Sequence, residues 1–315
     1  MRSARAPGAL AVACGLLLAA APAGAFDEMQ GARATAMGDG LRAAAATSAA
    51  PYVNPAGLSL IRAYVVEAAY ELRPQDTTNL VGVSITDSAT SRAGVAAGLY
   101  YTFLNGQPSF GGVEYTRRGH EVGLAISYPL VDRLLLGVTN KYFYQDTTAG
   151  DVHLPGARNR GYTIDVGAIL RATDAISVTA IGQNLVDEKS WEAPPTLAFG
   201  LAFGAASVFV LDFDGVIRWL EYPDRSTMVV GSYHLGAEYF FGGHFPLRLG
   251  YSYDFPYRAL VAMTDPAVSR SGESFFHGGV GYLTPAFGIE FGARQQLSGS
   301  DRETLLSFAL KFFVQ

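Results

Sequence analysis

From Ala63 onward the chain alternates apolar and polar residues in segments of about ten, the length a tilted strand needs to cross a bilayer. Fourteen such segments follow in series: 63–72, 77–87, 93–103, 119–128, 132–145, 160–171, 174–185, 195–205, 207–218, 228–241, 246–255, 273–282, 286–296 and 303–314. In 228–241 one face reads Val229, Gly231, Tyr233, Leu235, Ala237, Tyr239 and Phe241, and the other Val230, Ser232, His234, Gly236, Glu238 and Phe240. Segment 246–255 sets Leu247, Leu249, Tyr251, Tyr253 and Phe255 against Arg248, Gly250, Ser252 and Asp254. A soluble sandwich turns its apolar face inward. Aromatic residues near the ends of the apolar faces favour the opposite sense, apolar to lipid and polar to the interior. The pattern therefore predicts an all-β fold, a transmembrane antiparallel β-barrel of 14 strands.

The connections alternate as well. Those at one end are short: Asp87 to Arg92, Pro129 to Val131, Ala172-Thr173, Ala206, Gly242 to Phe245 and Leu283 to Pro285. The long ones fall at the other end: Leu104 to Arg118, Asp146 to Asn159, Val186 to Pro194 and Pro256 to Gly272. Short periplasmic turns and longer extracellular loops are the habit of bacterial outer-membrane barrels.

The start of the chain fits export. Arg2 and Arg5 precede an apolar run from Leu10 to Ala21, and Ala23-Gly24-Ala25 supplies the small residues of a cleavage site. Residues 1–25 are expected to be a signal peptide, 26–62 an N-terminal unit and 63–315 the barrel. The single cysteine, Cys14, lies inside the signal, so the expected mature chain has no disulfide or thiolate chemistry. A net charge of −5 is not the balance of a nucleic-acid binder. With 36 glycines, 17 tyrosines and 19 phenylalanines, and no later apolar run of helical span length, the composition points the same way as the alternation.

Residues 26–62 do not alternate. They are Ala-rich, with a short helix expected in Asp39 to Ala50 and defined turn chemistry at Asn54-Pro55-Ala56-Gly57. Gly31-Ala32-Arg33-Ala34, Met37-Gly38 and Tyr52-Val53-Asn54-Pro55-Ala56-Gly57-Leu58 together resemble the start of FadL-type outer-membrane proteins, the long-chain fatty acid and hydrocarbon channels with their PorV/PorQ-like relatives. The resemblance implies a fourteen-stranded barrel whose N-terminal hatch, here Asn54, Pro55, Ala56 and Gly57, plugs the lumen. It also implies passive uptake of hydrophobic molecules, caught among outer loops and released sideways through the wall. The sequence departs from that pattern in its short outer loops, in the charge on its inward faces, and in ending Phe312-Phe313-Val314-Gln315 rather than in an aromatic residue.

Candidate lumen residues follow from the register: Glu67, Glu71, Lys141, Asp165, Asp212, Asp214, His234, Glu238, Arg248, Asp254, Glu290, Arg294 and Lys311. They line a substrate path or, the plainer expectation, pair with one another in a hydrated lumen. The most apolar loop, with Tyr257, Leu260, Val261 and Met263, is the candidate extracellular capture site. The five histidines show no metal-ligand spacing, and no cofactor is expected. Ser232 and His234, two apart on one face, are the only local pair resembling a hydrolase nucleophile and base. Expected partners are the outer-membrane bilayer with its lipopolysaccharide, the barrel-assembly machinery and a small hydrophobic solute, with no nucleic acid. The leading expectation is a hydrophobic-solute channel without catalysis, in the outer membrane of a Gram-negative-type bacterium. The alternative is a PorV-like partner in protein secretion that transports no solute.

Overall fold

A computed structural model describes residues 28–314 apart from 76, 111–112, 151, 154–158, 187–192, 206–207, 222–226, 256, 260–267, 271 and 299–301. The expected signal peptide lies outside the described residues. Fourteen strands form the wall: β1 (Tyr64–Arg73), β2 (Thr78–Asp87), β3 (Ala96–Gly106), β4 (Val113–Val131), β5 (Leu134–Ala149), β6 (Asn159–Arg171) and β7 (Ile176–Gln183). The second half comprises β8 (Thr196–Ala205), β9 (Phe209–Glu221), β10 (Thr227–Phe241), β11 (Phe245–Asp254), β12 (Glu273–Leu283), β13 (Phe287–Gln296) and β14 (Thr304–Val314). Each pairs antiparallel with its chain neighbours, and β14 returns to β1 from Tyr64 opposite Val314 to Leu72 opposite Leu306. That seam closes the sheet into a barrel and leaves it no open edge.

Alternation carries over directly into exposure. Val81, Val83 and Ile85 of β2, Phe199, Leu201 and Phe203 of β8, and Leu247 and Leu249 of β11 point outward and are exposed. The residues between them face inward and are mostly buried. Among the described residues no helix is long and apolar enough to cross a membrane. The largest departure from the expected boundaries is at β4, which begins at Val113 rather than 119, and at β5, which runs to Ala149 rather than 145. There the sequence is polar on both faces (Glu114, Thr116, Arg117, Arg118; Asp146, Thr147, Thr148), so a hairpin rising out of the lipid carries no alternation.

Residues 28–63 run through the inside of the barrel. The segment holds α1 (Ala32–Ala36), a 3₁₀ turn (Thr47–Ala49), α2 (Ala50–Val53) and a second 3₁₀ turn (Pro55–Ser59). The helix expected in Asp39 to Ala50 does not form across that span. Asp39 and Leu41 take positive φ, 57° and 77°, which breaks a right-handed helix. The Leu41 and Arg42 amides donate to the wall carboxylates of Asp212 (2.8 Å) and Asp214 (3.1 Å) instead of to helix carbonyls. Tertiary bonds thus override the helix propensity of the alanine run.

Candidate functional site

The inward residues are organised around this segment. Glu238 on β10 accepts from Arg33 at 2.7 Å and from Arg248 at 2.6 Å. Arg248 on β11 also reaches Glu290 on β13, which pairs with Lys311 on β14, which lies 3.3 Å from Glu67 on β1. Glu67 then accepts from Ser48 of the segment at 2.7 Å. From Arg33 to Glu67 the charges alternate in sign across five strands, starting and finishing on the segment. A buried charge is tolerated when each neighbour is its opposite and its remaining hydrogen bonds are made.

Three further contacts tie the segment to the wall. Lys141 lies 2.9 Å from Glu28 and 3.0 Å from Asp165. Arg42 lies 3.3 Å from Asp214. Arg294 reaches Asp39 at 2.7 Å and also holds Glu303. Asp39 belongs to the luminal segment, not to a wall strand. Burial alone would raise its carboxyl, but Arg294 holds it down at about 2. The candidate lumen residues Glu67, Lys141, Asp212, His234, Glu238, Arg248 and Glu290 are all buried inside the barrel, and Arg294 is nearly so. The plainer sequence expectation, pairing across strands, holds for Arg248, Lys311 and Lys141. The partner it lacked is the chain's own N-terminal segment.

Two histidines repeat one arrangement. His234 places Nδ1 2.6 Å from the Gly38 carbonyl, and His277 places Nδ1 2.7 Å from the Thr35 carbonyl. A carbonyl only accepts, so each Nδ1 carries the proton, and each Nε2 is left to the hydroxyl of Ser232 or Ser252, both at 2.9 Å. The Ser232–His234 pair is therefore real, and both residues are buried beneath the segment, away from any solvent-borne substrate. The sequence alone places Ser252 on the polar face of its segment but does not pair it with His277, which lies on the neighbouring strand.

The motif Asn54-Pro55-Ala56-Gly57 docks differently. The Asn54 side-chain amide donates to the Arg42 carbonyl and to Thr179 Oγ1, both at 2.8 Å, and its Oδ1 accepts from Ala56 N–H at 3.2 Å. Ser127 Oγ donates to the Ala56 carbonyl at 3.1 Å, and Thr139 Oγ1 to the Pro51 carbonyl at 3.2 Å. Ala56 packs with Leu135 and Ile169, and Leu58 with Ala50, Ala96 and Ala125. The wall makes room with glycine: a Cβ on Gly137 would strike the backbone of Pro55 and Ala56, and one on Gly250 the backbone of Met37 and Gly38.

One sector of the inner wall carries an apolar cluster. Leu80 of β2 sits opposite Leu104 of β3, and both join Tyr100 and the segment's Met29 and Tyr52 in one cluster. The pairings of β3 with β2 and β4 run without a shift, so no gap opens in the wall beside this sector. Of the candidate capture loop, Tyr257 begins a short two-stranded ribbon (Tyr257–Ala259 with Val268–Arg270), while Leu260, Val261 and Met263 lie outside the described residues.

No protein-family model matches the chain, and no curated protein matches it. Solved structures do. The monoaromatic hydrocarbon channel CymD superposes with a TM-score of 0.68 over 92% of this chain and 99% of its own, at 12% identity. The toluene transporter TbuX of Ralstonia pickettii gives 0.66 over 91% and 99%, at 13% identity. A FadL homologue of Pseudomonas aeruginosa gives 0.61 over 91% and 98%, at 11% identity. The chain has the FadL-type fold. At such low identity the likeness fixes the architecture and leaves the ligand to the chain's own residues. The resemblance carried by the N-terminal motif therefore holds at the level of the fold, over nearly the whole described chain.

Proposed function

We propose that this protein is an outer-membrane channel for passive entry of small hydrophobic compounds, with residues 28–63 as its hatch. The carrying observation is the apolar cluster of Leu80, Tyr100 and Leu104, covered by Met29, in a lumen rich in paired charges. A solute descending from the outer loops meets this strip on one side and Met29 on the other. Displacing Met29 uncovers Leu80, Leu104 and the Tyr100 ring, with the small Gly82 and Thr102 between them, and the hydrophobic effect favours covering that apolar surface with solute rather than water. No bond is made or broken, so no catalytic group is required. The similar structures of toluene and monoaromatic hydrocarbon channels support compact aromatic solutes; fatty-acid-like solutes are the longer-chain version of the same reading.

Uptake of labelled toluene and of labelled oleate into cells lacking the protein, with and without the gene restored, tests this reading. Restoration is expected to raise entry of at least one solute, and Leu104→Asp is expected to abolish the gain while the barrel still folds. Equal entry of both solutes with and without the gene would count decisively against a channel. The charged, filled lumen supports a second reading, a PorV-like scaffold for protein secretion. A protein partner recovered at fixed stoichiometry from native membranes, with no solute uptake, would replace the channel reading by that one.

A further inference from the structure

The outer face of the wall carries almost no charge. Among the described wall residues only two arginines point outward, Arg118 on β4 and Arg160 on β6, and both lie at the long-loop end. Their register places them close together. Arg118 is opposite Asp146 of β5, and Arg160 is opposite Tyr144, the next outward position down the same strand. Two strand spacings and one two-residue step put their Cα atoms roughly 12 Å apart.

Just below them lies an aromatic band. Tyr101 bonds His120 at 2.6 Å, and His120 stacks near Phe103 and Tyr144 with centroids 5.1 and 6.4 Å away. Tyr162 is the outward residue directly below Arg160. Aromatic girdles mark the level where acyl chains give way to headgroups, so the arginines stand at headgroup height. Neither guanidinium is within ion-pair distance of a described carboxylate. Asp146 is held by His153 at 3.0 Å and by the Tyr144 hydroxyl at 3.4 Å. Glu114, outward and higher on β4, is another described acid on this face.

We propose that Arg118 and Arg160 form a site on the outer wall for the phosphate groups of an outer-leaflet lipid headgroup. Guanidinium forks match phosphate oxygens in pairs, and two forks at this spacing suit a headgroup with two phosphates better than a single anion. The aromatic band beneath supplies apolar surface for the first acyl carbons. The site rests on the outer-membrane barrel reading but not on transport, so its failure and that of the channel are separate results.

The test is native mass spectrometry of the full chain in detergent with bisphosphorylated lipid A or its dephosphorylated counterpart. Wild type is expected to retain the phosphorylated lipid about thirtyfold better, in line with roughly a kcal/mol from each of two basic residues at a lipid surface. R118A/R160A is expected to lose that preference. R118K/R160K, which keeps charge without the fork, should retain part of it. The heat-shifted electrophoretic band verifies that each variant is folded; should the alanine variant not fold, wild type against the lysine variant decides. Equal retention of both lipids by wild type, or an unchanged preference in the alanine variant, overturns the proposal. Displacement of the lipid by millimolar inorganic phosphate would show a free-anion site and overturn it too.

Discussion

The two halves of the luminal segment differ in the contacts that hold them, since only the first carries ion pairs to the wall. Residues 28–48 meet the wall through charge as well as packing: Glu28 on Lys141, Arg33 on Glu238, Asp39 on Arg294 and Arg42 on Asp214, beside Ala32 on Gly292 and Met37 on Gly236. Residues 50–59 meet it through neutral hydrogen bonds and close packing: Asn54 on Thr179, Ala56 against Ser127 and Leu135, Pro55 in the space left by Gly137. Buried ion pairs gain little net stability, because lost hydration nearly cancels attraction. Packed apolar contacts have no such opposing term. The difference predicts that the front half opens more readily than the Asn-Pro-Ala stretch, its firmer foot.

The contrast is broken most severely at Arg248. R248A leaves Glu238 and Glu290 buried without their shared cation and is expected to cost about 3–5 kcal/mol, read as a lower unfolding midpoint in denaturant titration. R248M, which fills the volume but not the charge, should be as harmful, because the two carboxylates remain. The neutral half is attacked next by G137V, whose side chain meets the Pro55–Ala56 backbone. Overpacking of this kind costs about 1–3 kcal/mol, and larger single-channel currents in planar bilayers would report the displaced foot. N54A removes the bonds to Arg42, Thr179 and Ala56 and is expected to cost about 1–3 kcal/mol, with faster proteolysis at Arg42 as the readout. Hydrogen exchange sharpens the comparison without mutation: amides of 28–48 should exchange faster than those of 53–58, and the reverse order would sink the assignment of a mobile front half.

The smallest effect concerns pH. Asp39 is held below its unfolded value by Arg294, so its contribution is complete above about pH 4 and is lost only as pH falls through about 2. Wild type and D39N should therefore differ in melting temperature by a constant amount between pH 5 and 8. A difference that shrinks within that window would show that Asp39 titrates far higher than its pairing with Arg294 allows.

Much of this was legible in the sequence, and the reason is geometric. Period-2 alternation settles which face each wall residue takes, so Glu67, Lys141, Glu238, Arg248 and Glu290 could be placed inside from one strand at a time. What each of them binds could not. Arg33 and Glu238 lie 205 residues apart, and Arg294 and Asp39 lie 255 apart. No local pattern links such positions. The alanine run at 43–46 misled for the opposite reason: its local preference is helical, but the Asp212 and Asp214 carboxylates claim the neighbouring amides. The inward glycines were visible as interruptions of the polar face. They mark the segment's footprint, Gly137 under Ala56 and Gly250 under Gly38, which becomes readable only when the segment is in place.

The seam between β14 and β1 has a consequence for how the molecule is made. It joins the first strand to the last, so the wall cannot close until the whole chain has arrived, and closing a loop of that length is entropically slow. The N-terminal segment lies across this join from within. The Gly31 amide donates to Glu71 on β1, while the Ala32 backbone rests on Gly292 of β13, one strand beyond β14. The earliest residues of the luminal segment thus act as an internal clasp over the last connection to form. A barrel stripped of them keeps its strands but loses the brace on its final weld.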